Sequence, residues 1–217
     1  EATHLVDLAM ALADEEAAEG ILVAADWEKA FDRVSWDYLH EAVRALGFGP
    51  QFCEWIRMIY NEHQPPMRCV KANGERGAPF AIKRGTPQGC PCSPLIFLIV
   101  AEALTRSVQD DGGLEGITIA DRTVKLSQFA DDTQFLLRNY DELARMWVHI
   151  QRYEEATGMR ANKKKFEGLR MGHTKSIPVP KNEMTEPIAF VHKGECIKIL
   201  GVPFFEEYDM NIFWSKL

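Results

Sequence analysis

Long apolar runs are what this sequence most plainly lacks. The longest, Leu95 to Ala101, falls far short of the about 20 apolar residues needed to cross a bilayer, so a transmembrane segment is excluded and no membrane partner is expected. Cysteine is sparse and odd in number: Cys53, Cys69, Cys90, Cys92 and Cys196 are scattered through otherwise ordinary patterning. No disulfide framework follows, and a reducing, intracellular compartment is the expectation. Cys90 and Cys92 form a C-x-C without a second Cys/His pair at zinc-ligand spacing, so they read as loop residues. An initiator Met is missing, Glu1 standing in its place, and so is a charged-then-apolar leader. The expectation is an excerpt of a longer polypeptide rather than a secreted protein.

A surplus of positive charge is missing as well. The formal net charge is −7, which at first argues against a nucleic-acid partner. The distribution reverses that reading. Residues 1–62 hold 13 acids against 4 bases, and the remainder is positive by 2. Arg160, Lys163, Lys164, Lys165, Arg170 and Lys175 crowd one short stretch with Glu167 as its only acid. Such a run is either a solvated face or a phosphate contact.

What is present suits one large globular domain: 217 residues, 46% of them hydrophobic, are enough to bury a core. Residues 2 to 19 place Leu5, Leu8, Ala9 and Leu12 at helical spacing, with Gly20 as a stop. Ile21 to Ala25 is a continuous apolar run that reads as a buried strand ending at Asp26. Ser35 caps a helix to about Leu46, and Pro50 opens another to about Tyr60. Met67 to Ala72 and Pro79 to Lys83 are strand-like and joined through the turn signal Asn73-Gly74. Ser93-Pro94 starts a helix whose apolar face uses Leu95, Leu98, Ile99 and Leu104. Ile117 to Ile119, Val124 to Ala130 and Thr133 to Leu137 predict strands, with Asp131-Asp132 at a hairpin tip. Asn139 caps a helix through about Thr157, and Phe166 to Met171 is a further strand. Residues 172–187 read as a loop or insertion, and Ile188 to Val191 with Cys196 to Leu200 as a small hairpin. The whole order suggests an α+β fold, a mainly antiparallel sheet with helices packed on one face.

Transferring a nucleotidyl group requires neutralising a triphosphate while activating a hydroxyl, and two divalent cations about 4 Å apart do both. Mg²⁺ needs hard oxygen ligands and few of them. Asp26 at a strand end and Asp131-Asp132 at a hairpin tip supply such oxygens from adjacent strands. Singly, each is equally a turn residue. Together, between apolar strands, they form an acidic tip whose desolvation is expensive without cations.

Ala25-Asp26-Trp27-Glu28-Lys29-Ala30-Phe31-Asp32, Arg84-Gly85-Thr86-Pro87-Gln88-Gly89-Cys90-Pro91-Cys92-Ser93-Pro94 and Phe129-Ala130-Asp131-Asp132 resemble a reverse transcriptase of the non-LTR (LINE-type) retrotransposon class. Thr157 to Asn162 with Lys165, and Ile199-Leu200-Gly201-Val202, resemble the fourth and fifth motifs of that family in the right order. The resemblance implies a right-hand polymerase palm with part of the fingers. It makes Asp26, Asp131 and Asp132 the catalytic metal ligands, the Trp27 carbonyl a further ligand oxygen, and two Mg²⁺ the cofactor, with Mn²⁺ as a substitute. Phe31 falls where the family places a ring that excludes a 2′-hydroxyl; it is otherwise a core aromatic. Gln88 and Gly89 fall beside the incoming nucleotide and template. Lys165 matches a lysine that assists the pyrophosphate leaving group, or is a solvated lysine. Leu200 and Gly201 match a hairpin that supports the primer end, or are an ordinary tight turn.

The implied partners are an RNA template, a DNA primer, dNTPs and further domains of the same polyprotein, in the nucleus or cytoplasm of a eukaryote. Two departures from the commoner pattern stand out. Thr86-Pro87 replaces an apolar residue and an Arg before Gln-Gly, which removes one phosphate contact. The chain begins after the upstream fingers motif and reaches only the start of a thumb or linker over 203–217, near Phe213-Trp214. Two rival readings remain: an RNA-copying RNA polymerase palm, which the bulk of Phe31 opposes, and a degenerate remnant that binds RNA without catalysis.

Overall fold

Ile21 to Ala25 forms the buried strand that its apolar run predicts, and the strand is longer than that run: β1 spans Glu19–Ala25. The preceding helix, α1 (Ala2–Glu15), is correspondingly shorter. It stops not at Gly20 but at Ala17, which takes a left-handed φ of 49° while the amide of Ala18 donates to the carbonyl of Ala13. Gly20 is instead a strand residue paired with Met171. The computed structural model describes residues 2–87, 89–119 and 121–207. The chain divides into two compact units: Glu1–Trp27, Leu104–Arg152 and Ala161–Leu217 form the first, Glu28–Ala103 and Tyr153–Arg160 the second.

The second unit begins with a one-turn helix α2 (Ala30–Arg33), unforeseen in the sequence, and continues with α3 (Trp36–Ala45) and α4 (Pro50–Ile59). Ser35 caps α3 as expected, its hydroxyl accepting from the amide of Tyr38. The expected hairpin is there in two short rungs. Strands β2 (Met67–Arg68) and β5 (Phe80–Ala81) pair outside, and β3 (Lys71–Ala72) and β4 (Glu75–Arg76) pair around Asn73-Gly74. Helix α5 (Ser93–Gln109) follows, of which the residues from Leu104 on count with the first unit. Its buried face is Ile96, Phe97, Val100, Ala101, Leu104 and Val108, whereas Leu95 and Leu98, expected to face inward, are exposed. Residues 94–101, where both leucines lie, are all apolar and carry no periodicity to point the way.

The first unit continues with β6 (Ile117–Ile119), β7 (Arg122–Val124), β8 (Leu126–Phe129), β9 (Asp132–Leu137), α6 (Leu143–Thr157), β10 (Phe166–Gly172), β11 (Ile188–Phe190), β12 (Cys196–Ile199) and β13 (Val202–Phe205). Asn139 caps a 3-10 turn, Tyr140–Glu142, that leads into α6. The predicted strand Val124 to Ala130 divides: β7 closes a hairpin with β6, and β8 joins the main sheet. That sheet has the order β11-β10-β1-β9-β8 and is antiparallel except at β10–β11, so the fold is the expected α+β. Residues 173–187 contain a 3-10 turn, His173–Ser176.

Ile188 to Phe190 is not half of a hairpin with 196–200. It lines up in parallel with β10, and β12 pairs with β13 across a two-residue turn. Leu200 (φ 50°) and Gly201 (φ 82°) form that turn, the geometry that matches the twist of a hairpin. Residues 203–205 therefore complete a strand. Phe213 and Trp214 lie outside the described residues.

Alternation along the strands gives the sheet two buried faces. Leu22, Leu136, Leu169 and Met171 form one cluster with Val6, Ala9 and Ala13 of α1 and with Ile117, Ile119, Ile197 and Phe204 of the two small hairpins. On the opposite face Trp147 of α6 stacks on Phe166 at 5.2 Å. Burying a β-sheet on both sides fixes its register, because a one-residue slip would exchange the faces of every side chain.

Candidate active site

Register decides where the predicted carboxylates fall. Ala25 pairs with Thr133 across β1 and β9, so the next position along each strand sets Asp26 against Asp132. Alternation places both on the face that carries Ala24, Gln134 and Glu167, beyond the apolar cluster. Asp131 is the second residue of the two-residue turn between β8 and β9, after Ala130 at φ 53°. Partial burial, and then the charges of Asp131 and Asp26, raise the Asp132 carboxyl above the ordinary carboxylate range. Three carboxylates in one another's field is a state that a bound cation relieves.

Asp26 is held from the chain that follows α6. The Asn162 side-chain amide donates to Oδ2 of Asp26 at 3.0 Å, and the Asn162 backbone N–H donates to the Asp26 carbonyl at 2.8 Å. Lys165 brings its Nζ to 3.6 Å from the same Oδ2 while remaining two-thirds exposed. Lys163, which shares the 3-10 turn Lys163–Lys165 with it, is taken up by the ring of Trp147 at 5.2 Å. Trp27 is buried and serves as an anchor: its Nε1 donates to Thr133 Oγ1 at 3.0 Å, and its backbone bridges to Ala161.

A cavity of about 370 Å³ opens on this face, lined by Asp26, Asp132, Gln134, Lys164, Lys165 and Lys198 among others. Acids and lysines thus line one cavity, a combination that suits a phosphorylated ligand held through a cation. Gln134 is buried and its Oε1 has no hydrogen-bond partner. Sequence alone singles out neither Gln134 nor Lys198, and it gives Asn162 only as the last residue of the Thr157–Asn162 stretch, with no role of its own. The signal for Lys198 was its alternation with Ile197 and Ile199, legible only once 196–199 is seen to pair with 202–205.

Among the described residues no three His, Cys, Asp or Glu side chains are gathered closely enough to enclose a metal ion. In kind, the residues do suit a hard divalent cation. The donors are carboxylate oxygens, their mutual repulsion is expressed at Asp132, and a positive group, the Lys165 ammonium, already stands at Asp26.

Phe31 and Gly89 belong to the second unit. Phe31 is half-buried and stacks on Phe97 at 4.5 Å. Its carbonyl accepts from the amide of Thr86 at 2.7 Å, and the amide of Gly85 donates to Val34 O at 2.8 Å. Trp36 Nε1 donates to Gly85 O at 2.9 Å. A Cβ on Gly85 would lie 2.5 Å from the Asp32 carbonyl oxygen, at a φ of +81°, so this position admits only glycine. Gly89 is exposed at φ 83°, and Gln88 lies outside the described residues. Leu200 and Gly201 are the exposed turn of β12–β13.

Residues 3–204 match the profile of the family described as reverse transcriptase (RNA-dependent DNA polymerase). The chain is 33% identical over 190 residues to a protein of Xenopus laevis named Transposon TX1 uncharacterized 149 kDa protein, covering 86% of this chain and 14% of that one. It is 27% identical over 162 residues to a retrovirus-related Pol polyprotein from type-1 retrotransposable element R2 of Popillia japonica, covering 75% and 22%. It thus spans less than a quarter of these relatives. Among solved structures, telomerase from Candida tropicalis in complex with a TWJ fragment of telomeric RNA superposes with a TM-score of 0.57 at 14% identity, covering 78% of this chain and 29% of that one. This last likeness is one of fold.

Proposed function

The chain belongs to the reverse transcriptase (RNA-dependent DNA polymerase) family, as a non-LTR retrotransposon type of member, and from that premise we propose that it adds dNTPs to the 3′-hydroxyl of a DNA primer on an RNA template. The observation that carries this reading is the opposition of Asp26 and Asp132 on one face of the sheet, with Asp131 beside them and Lys165 at Asp26.

In this reading Asp26, Asp131 and Asp132 would hold two Mg²⁺ ions, for which Mn²⁺ would substitute, and the Trp27 carbonyl would add an oxygen. The ions supply charge neutralisation at the triphosphate and activation of the primer hydroxyl. The protein's own part is alignment. Asn162 fixes the rotamer of Asp26, and the rigid β1–β9 ladder sets the carboxylate spacing. Lys165 presents a proton and a positive charge to the departing pyrophosphate. Phe31, braced by Phe97, excludes a 2′-hydroxyl, and Gln88 and Gly89 lie along the nucleotide and template. Leu200 and Gly201 support the primer end.

Further domains of a polyprotein complete the grip on nucleic acid. All five cysteines are free, which supports a reducing intracellular site, nuclear or cytoplasmic. No helix among the described residues is long and apolar enough to cross a membrane.

Primer extension on an RNA template with Mg²⁺ and dNTPs, in the full-length protein, tests the reading. Extension that Asp131→Ala abolishes, and that NTPs do not support, is the expected result. Folded wild-type protein that extends with neither nucleotide set sinks it in favour of a non-catalytic RNA-binding remnant; extension with NTPs makes it an RNA polymerase palm.

A further inference from the structure

Behind the carboxylates a hydroxyl is buried where a methyl group would pack as well. Thr133 lies between Asp132 and Gln134 on β9, and alternation turns its side chain to the other face of the sheet, with Phe135 and Leu137. All three are fully buried. Valine has the same shape and suits a buried strand, whereas a hydroxyl in that position costs desolvation unless its hydrogen bonds are made.

All of them are made. A threonine hydroxyl has one proton and two lone pairs. The oxygen accepts from Trp27 Nε1 at 3.0 Å and from Gln128 Nε2 at 3.1 Å, and it donates to the Asp131 carbonyl at 3.4 Å. Gln128 is the cross-strand partner of Thr133 on β8, and its Oε1 accepts in turn from the hydroxyl of Thr105 on α5. One oxygen atom is thus bonded to the residue that follows Asp26 and to the peptide that joins Asp131 to Asp132. Strand pairing sets Ala25 against Thr133, but Asp26 follows the end of β1 and Asp131 precedes the start of β9. Beyond the ladder, the hydroxyl supplies the tie that backbone pairing no longer does.

We propose that Thr133 is a positioning residue for nucleotidyl transfer, its hydroxyl tying the Asp131–Asp132 turn to the Asp26–Trp27 segment so that the three carboxylates keep one spacing. It acts through the Trp27 indole and the Asp131 carbonyl and touches neither substrate nor cation. Ligand groups work only when their supporting shell holds them within about 0.5 Å of the productive geometry, and Mg²⁺, with its near-octahedral demand, tolerates little slack. The role in transfer rests on the reading of the chain as a polymerase, whereas the tie between the carboxylates does not.

The test compares Thr133→Val and Thr133→Ser in the full-length protein, with Thr174→Val as the control. Thr174 is a comparably buried threonine whose hydroxyl accepts from the Gly20 amide at 3.0 Å, away from the carboxylates. Thr133→Val lowers kcat for single-nucleotide addition roughly tenfold, the loss of about one hydrogen bond, and leaves KM for the nucleotide within about twofold. It also weakens the binding of Mn²⁺ to the nucleotide-free protein, read by electron paramagnetic resonance. Thr133→Ser, which keeps the hydroxyl, restores both. Thr174→Val lowers Tm and changes neither. If Thr133→Val lowers Tm alone, or if Thr133→Ser is as impaired as Thr133→Val, the hydroxyl serves stability or packing, and the proposal is overturned while primer extension by the wild type still stands. If the folded wild type extends no primer, the polymerase reading falls and Mn²⁺ binding decides the tie by itself. Weaker binding by Thr133→Val than by Thr133→Ser then upholds it, and equal binding, or none by the wild type, overturns it.

Discussion

Asn162 grips Asp26 twice, its backbone N–H on the Asp26 carbonyl at 2.8 Å and its side-chain amide on Oδ2 at 3.0 Å. The two residues are far apart in sequence; one contact ties the backbones together and the other orients the carboxylate. A hydrogen bond to a charged group contributes about 1.5–3 kcal/mol. Asn162→Ala is therefore expected to lower kcat for single-nucleotide addition roughly tenfold to a hundredfold. KM for the nucleotide stays close to that of the wild type, because the amide touches the carboxylate and not the substrate. An effect confined to KM would contradict this role.

Lys198 lines the cavity of Asp26 and Asp132 and has no ion-pair partner among the described residues. An exposed ammonium on the lining of a cavity that also holds carboxylates is a candidate phosphate contact. Lys198→Gln is expected to raise KM for the nucleotide, or Kd for the primer–template, by roughly tenfold, the worth of one charge-assisted contact. Thermal stability should not change, because the side chain is exposed. Titrating each ligand separately identifies which phosphate it meets. Unchanged affinity for both would make it a solvated lysine.

Much of this was legible in the sequence. The run Ile21 to Ala25 announces a buried strand, Ser35 and Asn139 announce helix starts, and the acids at 26, 131 and 132 follow apolar strands that only a shared sheet makes sense of. The failures have physical causes. Leu95 and Leu98 read as part of the buried face of α5 because residues 94–101 are all apolar and offer no amphipathic contrast. Ile188 to Val191 reads as the hairpin partner of Cys196 to Leu200 because proximity in sequence favours hairpins, whereas a parallel edge strand such as β11 leaves no local signal. Asn162 and Lys198 acquire their positions through β10 and through the β12–β13 turn, long-range relations that no spacing encodes.

Arg170 and Glu206 form a two-pronged ion pair, Nε to Oε1 and Nη2 to Oε2, with side chains only 14% and 7% exposed. Removing one partner strands a buried charge, at a cost of about 3–5 kcal/mol. Glu206→Ala should therefore destabilise the fold by that amount in urea. The double replacement Arg170→Met with Glu206→Leu should recover most of it, since an apolar pair of similar volume leaves no charge unpaired. Equal destabilisation by the single and the double variant would show that packing, not charge, matters there.

Asp111 carries the clearest dependence on pH. His149 Nε2 lies 2.9 Å from its Oδ2, the Gly113 amide donates to Oδ1 at 2.8 Å, and Arg145 Nη1 donates to Oδ1 at 2.9 Å. A carboxylate only accepts, so Nε2 carries the proton, and the ring's Nδ1 faces Ser107 Oγ at 3.0 Å. The His149 hydrogen bond first, then those of Gly113 and Arg145, lowers the Asp111 pKa from 3.8 to about 2. A carboxyl whose folded pKa lies below its unfolded value stabilises the protein fully above the unfolded value, and loses that contribution as pH falls through the folded one. Tm should accordingly drop between pH 4 and pH 2 in the wild type. Asp111→Asn should start lower at neutral pH and drop less over the same interval. Parallel Tm curves for the two proteins would show that other carboxylates carry the acid transition.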